Sequence, residues 1–199
     1  MASPQPRRAT AAPAAAPGGD EDRPGQGDCF AADGGEERIF VGLGANLGDR
    51  LAALQQAVRA LRLLPGTRVV ACSGLYRTAP VPALGPEFLN AVVELRSGLS
   101  PLALLTALQD IEAAQGRERP YPNAPRTLDL DLLLYGQRVC AVPRLSLPHP
   151  RLHLRGFVLA PLLELAPQLS APGVGALPAW LPQAAGQRMQ RERGEWAGP

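Results

Sequence analysis

The stretch Arg126-Thr127-Leu128-Asp129-Leu130-Asp131-Leu132-Leu133-Leu134 places two carboxylates inside a run of leucines. The leucines predict a buried strand, and charge in a buried strand needs a specific reason. Side chains alternate across a strand, so Asp129, Asp131 and Leu133 are expected on one face. The other face then holds Leu128, Leu130, Leu132 and Leu134. Both carboxylates are therefore predicted to point into one site.

The spacing of the two carboxylates suits a pair of metal ions. Neighbours on one face of a strand lie roughly 6.5–7 Å apart at the backbone, and two carboxylates so placed hold divalent cations about 3.5–4 Å apart. Ligand sets made only of oxygen favour magnesium. The pair predicts a site for two Mg²⁺ ions at Asp129 and Asp131. The alternative is structural: one aspartate pairs with Arg126 and the other caps a neighbouring loop.

The basic residues of the chain exclude several mechanisms. All 20 are arginines, and there is no lysine, which rules out a lysine phosphate loop, a Schiff base and a lysine general base. Phosphate must then be bound by arginine, histidine, backbone N–H groups or metal. The net charge of +2 is too small to favour nucleic acid or a membrane as a partner.

Length and composition predict one soluble domain. The 199 residues are 46% hydrophobic, enough for one core plus tails, and no apolar run approaches the roughly 18 residues that span a bilayer. The three cysteines (Cys29, Cys72, Cys140) are scattered, which predicts neither a disulfide framework nor a zinc site. The expected compartment is the reducing cytoplasm.

Both ends of the chain are predicted to be tails. Residues 1–36 are rich in Ala, Pro, Gly and charge and lack periodicity, so we expect them to be disordered. An organelle transit peptide is the weaker alternative there. Residues 186–199 are polar and are predicted to form a second tail. The folded unit then spans 37–185.

Hydrophobic periodicity and capping residues predict the order βαββαβ, with a further strand and helix. The strands are expected over 38–43, 67–76, 88–95 and the Asp-x-Asp run, with a short one at 139–145. Asp49 and Ser100-Pro101 are predicted to begin helices that end near residues 64 and 115, and a last helix covers 156–165. This order predicts a ferredoxin-like α+β fold, a three-layer αβα sandwich with helices on the faces of an antiparallel sheet.

Cationic residues cluster around the aspartate pair. Arg117, Arg119 and Arg126 bracket the loop before the strand, and three guanidinium groups beside metal-binding carboxylates suit a polyphosphate. For Arg119 a solvated basic loop is the alternative. Of the two histidines, His149 is flanked by prolines on a loop and is favoured for a functional role, whereas His153 fits packing or surface equally well.

Aromatic residues are scarce in the chain. Phe88 and Phe157 are candidates to sandwich a flat heterocycle, with the amide of Asn90 reading its edge. Taken singly, each phenylalanine fits a core position better.

A set of motifs resembles the 6-hydroxymethyl-7,8-dihydropterin pyrophosphokinase family of folate biosynthesis, in order from about Ile39 to Pro167. These motifs are Gly44-Ala45-Asn46-Leu47-Gly48, Tyr76-Arg77-Thr78-Ala79-Pro80, Phe88-Leu89-Asn90-Ala91, Gln109-Asp110-Ile111-Glu112, Gly116-Arg117-Glu118-Arg119, Pro125-Arg126-Thr127-Leu128-Asp129-Leu130-Asp131, Pro148-His149 and Arg155-Gly156-Phe157.

The resemblance implies transfer of the β,γ-diphosphate of ATP to the hydroxymethyl oxygen of the pterin, with release of AMP. It implies catalytic roles for Arg117, Arg126, Asp129 and Asp131, the two aspartates holding two Mg²⁺ ions. It places at the ATP site Gln109, Glu112, Arg119, Leu132, Arg144, Ser146, His149 and Arg155. It places at the pterin site Gly44, Thr78, Pro80, Val81, Phe88, Asn90 and Phe157. It also implies a monomer whose partners are small molecules.

The chain departs from the family pattern at two points. Phe88 stands where many members have Tyr, and Asn123-Ala124 replaces the Trp-Gly that usually precedes Pro-Arg, with Tyr121 a possible substitute aromatic. Two other functions stay open: a non-catalytic module that binds nucleotide or RNA through its arginines, and an inactive homologue. The aspartate pair counts against RNA binding, because carboxylates repel a phosphate backbone unless metal intervenes.

Overall fold

An antiparallel sheet forms the middle layer of the molecule. The computed structural model describes residues 29–31, 35–79, 85–116, 126–194 and 196–197. The strands in this part of the chain are β1 (Glu37–Ala45), β2 (Thr67–Cys72), β3 (Tyr76–Thr78), β4 (Phe88–Ser97), β5 (Asp129–Tyr135), β6 (Cys140–Val142), β7 (Leu145–Leu147), β8 (Ser170–Ala171), β9 (Gly175–Ala176) and β10 (Met189–Arg191). Six of them form the main sheet in the order β10-β3-β4-β1-β5, with β2 also paired to β4.

Four α-helices cover the sheet in the described part of the chain. They are α1 (Arg50–Arg62), α2 (Pro101–Ala114), α3 (Gly156–Leu165) and α4 (Leu181–Ala184), and short 3₁₀ turns lie at Leu152–Leu154 and Leu177–Trp180. The predicted caps begin the first two helices: the Asp49 carboxylate accepts from the Ala52 N–H, and the Ser100 hydroxyl accepts from the Ala103 N–H. Each cap satisfies an N–H that the helix itself leaves without a partner.

Helices α1 and α2 pack on one face of the sheet. Their buried leucines, such as Leu54 and Leu104, form one core cluster with Leu128, Leu130 and Leu132 of β5. Burying a leucine stabilises the fold by about 1.5–3 kcal/mol relative to leaving it exposed. The leucines of β5 therefore anchor the strand that carries the carboxylates.

Helix α3 packs on the opposite face, which we call the α3 face. Phe40, Val92 and Leu133 from the sheet meet Leu159 and Leu162 of the helix in a second core cluster. Two helical layers around one antiparallel sheet confirm the predicted α+β sandwich. None of the helices in the described ranges has the length and apolar character needed to cross a membrane.

The face predicted for Leu134 is wrong. Phe40 pairs with Leu134 but Val41 pairs with Leu132, so β5 has an extra residue at this point. A bulge of this kind shifts the alternation of side chains by one position. Leu133 and Leu134 therefore both lie on the α3 face, while Asp129, Asp131 and Leu133 share a face as predicted.

Two predicted strands are each divided in the structure. The strand expected over 67–76 ends at Cys72, and β3 begins at Tyr76. Between them, the Ser73 hydroxyl accepts the Val92 N–H at 2.9 Å, so a side chain replaces a backbone partner in the ladder. The strand expected over 139–145 is a hairpin of β6 and β7, because the chain turns at residues 143–144.

The residues from 186 onward, predicted to be a tail, belong largely to the fold. β10 pairs with β3 and becomes the edge of the sheet. The indole of Trp196 is 7% exposed, and its N–H donates to the Ser73 carbonyl at 2.7 Å. The Gln55 amide in turn donates to the Trp196 carbonyl at 2.9 Å. The folded unit therefore extends past residue 185.

A disulfide joins Cys29 to Cys140, with the two Cα atoms 5.5 Å apart. Both residues are buried, and the Arg138 guanidinium donates to the Ala31 carbonyl at 2.8 Å beside them. The expectation of no disulfide is therefore wrong: the partners are 111 residues apart in sequence, and spacing alone gave no reason to pair them. Most of the expected tail, residues 1–28 and 32–34, lies outside the described residues.

Candidate active site

One row of paired residues crosses four strands on the α3 face. Asp129 of β5 pairs with Gly44 of β1, which pairs with Asn90 of β4, which pairs with Tyr76 of β3. Directly paired residues of antiparallel strands project to the same face. Asp129, a predicted metal ligand, is therefore on the strand next to Gly44. Asn90 is on the next strand again, and both Gly44 and Asn90 are predicted to bind the pterin.

Gly44 keeps this row open. A Cβ atom added at residue 44 would lie 3.2 Å from the Asn90 Oδ1 and 4.0 Å from the ring of Phe88. A side chain would thus fill the space between the amide and the carboxylate. The absence of a side chain leaves that space available to a ligand that spans both strands.

Each carboxylate faces an arginine. The Arg126 guanidinium lies 2.9 Å from the Asp129 Oδ2, and the Arg155 guanidinium lies 3.4 Å from the Asp131 Oδ2. The ion pair between Arg126 and one aspartate, which a purely structural role of the pair required, is thus present. Asp131, however, faces a second cation instead of capping a loop. The site holds two acids and two permanent cations on one face of the sheet.

The donor set suits magnesium bound together with a phosphate. Asp129 and Asp131 offer only oxygen, and their side chains are 21% and 36% exposed. Within the described ranges no cluster of three or more His, Cys, Asp or Glu side chains surrounds a metal position. The buried Arg126 Nε also lacks a hydrogen-bond partner among these residues, which leaves it free to donate to an anion.

Asn46 holds the backbone of Arg126 in place. The Arg126 N–H donates to the Asn46 Oδ1 at 2.8 Å, and the Asn46 N–H donates to the Arg126 carbonyl at 3.1 Å. Asn46 is 5% exposed. Sequence reasoning assigned it no role, although it lies in a quoted motif. Reciprocal bonds of this kind connect the loop after β1 directly to the arginine at the start of the aspartate strand.

His149 lies beside the second carboxylate. Its backbone N–H donates to the Leu133 carbonyl at 2.9 Å, and its Nδ1 accepts from the Arg151 N–H at 3.1 Å. Burial lowers the pKa of the imidazole below its usual value, with Arg155 and Arg151 adding to the effect against the opposing pull of Asp131. The neutral form of the ring is therefore favoured more than in a free imidazole.

Asn90 and Thr78 form the polar part of the predicted pterin site. The Asn90 amide is 5% exposed and donates to the Thr78 hydroxyl at 2.9 Å. Phe88 lies two residues before Asn90 on the same face and pairs with Thr78. Phe88 and Phe157 are only partly buried, so neither is a full core residue.

A cavity of about 240 Å³ opens beside these residues. Its described lining consists of Thr78, Ala79, Phe157, Gly186, Gln187, Arg188 and Met189. Sequence reasoning missed the four residues from Gly186 to Met189, because a polar C-terminal stretch without periodicity resembles a tail. Their pairing with β3 depends on tertiary contacts that the local sequence does not indicate.

Several predicted nucleotide residues lie on α2, on β5 and on the β6–β7 hairpin. Gln109, Arg144 and Ser146 are exposed, on α2 and on the β6–β7 hairpin. Glu112 is buried and accepts the Leu130 N–H at 2.6 Å, which fastens α2 to β5. The Leu132 side chain is packed in the core with α1 and α2, on the face opposite Asp131. The ATP contact predicted for Leu132 stays a prediction.

Some predicted site residues lie outside the described part of the chain. They are Pro80, Val81, Arg117 and Arg119, together with Tyr121 and Asn123. Their roles stay predictions.

The fold and the site define a class: an α+β sandwich with paired carboxylates and arginines on one sheet face is typical of an enzyme of phosphoryl transfer. The 7,8-dihydro-6-hydroxymethylpterin-pyrophosphokinase (HPPK) family model matches residues 40–167. The chain belongs to this family, as the resemblance of its motifs predicted.

Individual relatives agree with the family assignment. The chain is 47% identical over 146 residues to the 2-amino-4-hydroxy-6-hydroxymethyldihydropteridine pyrophosphokinase of Pseudomonas aeruginosa, covering 73% of this chain and 90% of the relative. It is 39% identical over 151 residues to that of Haemophilus influenzae, covering 75% and 94%. The chain is accordingly a pyrophosphokinase of folate biosynthesis with ATP as co-substrate.

A solved structure shares the fold. The Plasmodium falciparum HPPK-DHPS wild type aligns with a TM-score of 0.61 at 13% identity, over 74% of this chain and 44% of that chain. The chain thus spans less than half the length of that protein. At this identity the likeness establishes the fold alone.

Proposed function

We propose that the chain transfers the β,γ-diphosphate of ATP to 6-hydroxymethyl-7,8-dihydropterin on the α3 face. The hydroxymethyl oxygen attacks the β-phosphorus, the bond from that phosphorus to the α–β bridging oxygen breaks, and AMP leaves. The hydroxyl proton passes to solvent. The observation that carries this proposal is the row Asp129, Gly44, Asn90, because it makes the proposed metal ligand a neighbour of the proposed pterin-binding residues.

Asp129 and Asp131 are proposed to hold two magnesium ions. When bound, magnesium neutralises the charge of the triphosphate. The carboxylates supply oxygen ligands from a rigid strand, because the neighbouring leucines are buried in the core. Rigid support of this kind keeps ligands at a fixed spacing.

Arg126 and Arg155 are proposed to bind phosphate oxygens. Both guanidinium groups face the carboxylates in the described structure. With Asp129 and Asp131 serving as metal ligands, Arg126 and Arg155 would be available to phosphate oxygens, with which arginine forms paired hydrogen bonds. Arg117 and Arg119 are proposed to add to this cluster from the preceding loop.

Phe88 and Phe157 are proposed to stack on the pterin while Asn90 reads its edge. The buried Asn90 amide has Thr78 as its partner, which fixes its orientation. We name no side chain as a general base. Alignment of the hydroxymethyl oxygen with the β-phosphorus supplies the rate enhancement on this account.

Three finer predictions accompany the reaction. The chain is proposed to act as a monomer, in the cytoplasm, and without nucleic acid as a partner. The low net charge of +2 and the carboxylates of the binding face support the last of these. Sedimentation of the purified chain checks the monomeric state. Fractionation of cells, with detection of the chain in the cytoplasmic fraction, checks the compartment.

The stoichiometry of products tests the proposed reaction. With ATP, magnesium and hydroxymethyl-dihydropterin, mass detection is expected to find AMP and the pterin diphosphate in equal amounts, without ADP. Formation of ADP would contradict diphosphate transfer. Binding of ATP or RNA without any turnover would instead favour the non-catalytic module, and failure to bind either substrate would favour an inactive homologue.

A further inference from the structure

The C-terminal segment Gly186–Met189, which we call the C-terminal wall, lines the cavity beside Thr78 and Phe157. It lies outside residues 40–167, which match the family model. Met189 pairs with Thr78 in the sheet, so the segment is fixed to β3 at one end. The segment that completes this cavity is therefore not part of the motif set from which the site was predicted.

Gln187 connects the C-terminal wall to the start of α3. Its Nε2 donates to the Leu154 carbonyl at 2.8 Å, and its Oε1 accepts from the Gly156 N–H at 2.8 Å. Its own backbone N–H donates to the Ala184 carbonyl at 3.0 Å. The nitrogen and the oxygen of the Gln187 amide thus form hydrogen bonds with the two residues that flank Arg155.

Helix α3 has no local side-chain cap. Arg155 occupies the N-cap position without a capping hydrogen bond from its side chain, and the first N–H groups of a helix have no partner inside it. Gln187 supplies one such partner from 31 residues downstream of Gly156. The geometry of the helix start therefore depends on the C-terminal wall.

Gly156 shows how closely the two segments approach. A Cβ atom at residue 156 would lie 3.3 Å from the Ala184 carbonyl oxygen and 3.4 Å from the Gln187 Oε1. The start of the helix therefore packs closely against Ala184 and Gln187. The backbone from Leu154 to Gly156 is held by contact on this side as well as by hydrogen bonds.

Two predicted site residues project from this held backbone. The Arg155 guanidinium lies 3.4 Å from the Asp131 carboxylate and 5.6 Å from the centre of the Phe157 ring. Arg155 belongs to the phosphate end of the site and Phe157 to the pterin end. We propose that Gln187 is a positioning residue that sets both side chains at once. This inference rests on the proposed function.

Replacement of Gln187 by methionine tests the inference in the full chain. Gln187→Met keeps the length of the side chain and removes both hydrogen bonds. We expect KM to rise roughly tenfold for the pterin and for ATP, the size of the loss of one to two hydrogen bonds, while kcat changes less than twofold. Gln187→Glu keeps an acceptor for the Gly156 N–H and is expected to restore part of the loss.

Gln190→Met is the matched control, since Gln190 is an exposed glutamine of β10. Amide exchange at Gly156 provides a readout besides activity: it is expected to accelerate in Gln187→Met and not in the control. If the unmodified chain turns over normally and Gln187→Met has the same KM values for the pterin and ATP as Gln190→Met, the inference is overturned and the proposed function is not. Absence of turnover in the unmodified chain would overturn the proposed function and the inference with it.

Discussion

At the residue scale, the site depends on the lack of a side chain at Gly44 as much as on the side chains of Asn90 and Asp129 beside it. The sequence offered candidates for the chemistry here, because carboxylates, arginines and an amide stand in the order of the family motifs, and their roles stay predictions. It did not predict that Asp129, Gly44 and Asn90 would be direct neighbours across three strands. Strand register is set by the whole sheet, so a local pattern does not contain it.

Replacing Gly44 by alanine is expected to impair pterin binding. The added methyl group would lie 3.2 Å from the Asn90 Oδ1, so the amide has to move from the position in which Thr78 holds it. We expect KM for the pterin to rise about tenfold with little change in KM for ATP, as measured by steady-state kinetics. Gly98→Ala is the control, because a Cβ atom there meets open space. An unchanged KM for the pterin in Gly44→Ala would count against the assigned pterin position.

At the element scale, the strands and helices with clear periodicity and caps were predicted well, whereas β10 and the break between β2 and β3 were not. Asp49 and Ser100 marked two helix starts because capping is a local interaction. The break depends on the Ser73 hydroxyl reaching the backbone of β4, and β10 depends on an edge that only β3 supplies. Both are tertiary effects that act on weak local patterns.

Glu164 joins three of these elements and gives a prediction on pH. Its carboxylate on α3 accepts from the Tyr76 hydroxyl at 2.9 Å, the Arg191 guanidinium at 2.7 Å and the Gly74 N–H at 3.1 Å. Burial alone would raise the pKa of this carboxyl, but the hydrogen bonds from Arg191, Tyr76 and Gly74 outweigh it and lower the pKa. The native state therefore prefers the ionised form more strongly than the unfolded chain does.

A carboxyl whose pKa is lowered in the native state stabilises the fold at pH values above its pKa in the unfolded chain. This contribution is lost as the pH falls through the pKa of the native state. Glu164→Gln is expected to reduce the free energy of unfolding at pH 7, and the difference from the unmodified chain is expected to shrink in acid, below about pH 4.5. Urea titrations at several pH values measure this. Glu36→Gln, at an exposed ion pair with Arg68, is the control. A difference that stays constant down to pH 3 would rule out this linkage.

At the scale of the whole molecule, Cys29 and Trp196 both join the core formed by the first two helices and the sheet. The sequence predicted the sandwich because the βαββαβ order has few packed solutions. It did not predict that Cys29 and Trp196 would be buried, since both lie in stretches whose composition is that of tails. The contacts come from a few residues, Cys29 on one side and β10 with Trp196 on the other, and an average composition does not detect so few residues.

The Cys29–Cys140 bond predicts a stability that depends on redox conditions. Closing a loop of this length stabilises a fold by about 4–5 kcal/mol in the chain-entropy account. The oxidised chain is expected to exceed Cys29→Ser in free energy of unfolding by an amount of this order, and dithiothreitol is expected to abolish the difference. Cys72→Ser is the control, since Cys72 is the free cysteine of the described residues. Equal stability of the oxidised and reduced chains would contradict the pairing.

The aspartate pair carries the central claim, and AMP release measures it most directly. Asp129→Asn and Asp131→Asn each keep the shape of the side chain and remove the charge that holds magnesium. With ATP, magnesium and pterin, both variants are expected to lose at least 100-fold in kcat/KM, in keeping with the loss of a group that stabilises transition-state charge. Glu36→Gln, at the residue before β1, is expected to match the unmodified chain. Near-normal AMP release from either aspartate variant would show that the pair is structural and that the account is wrong.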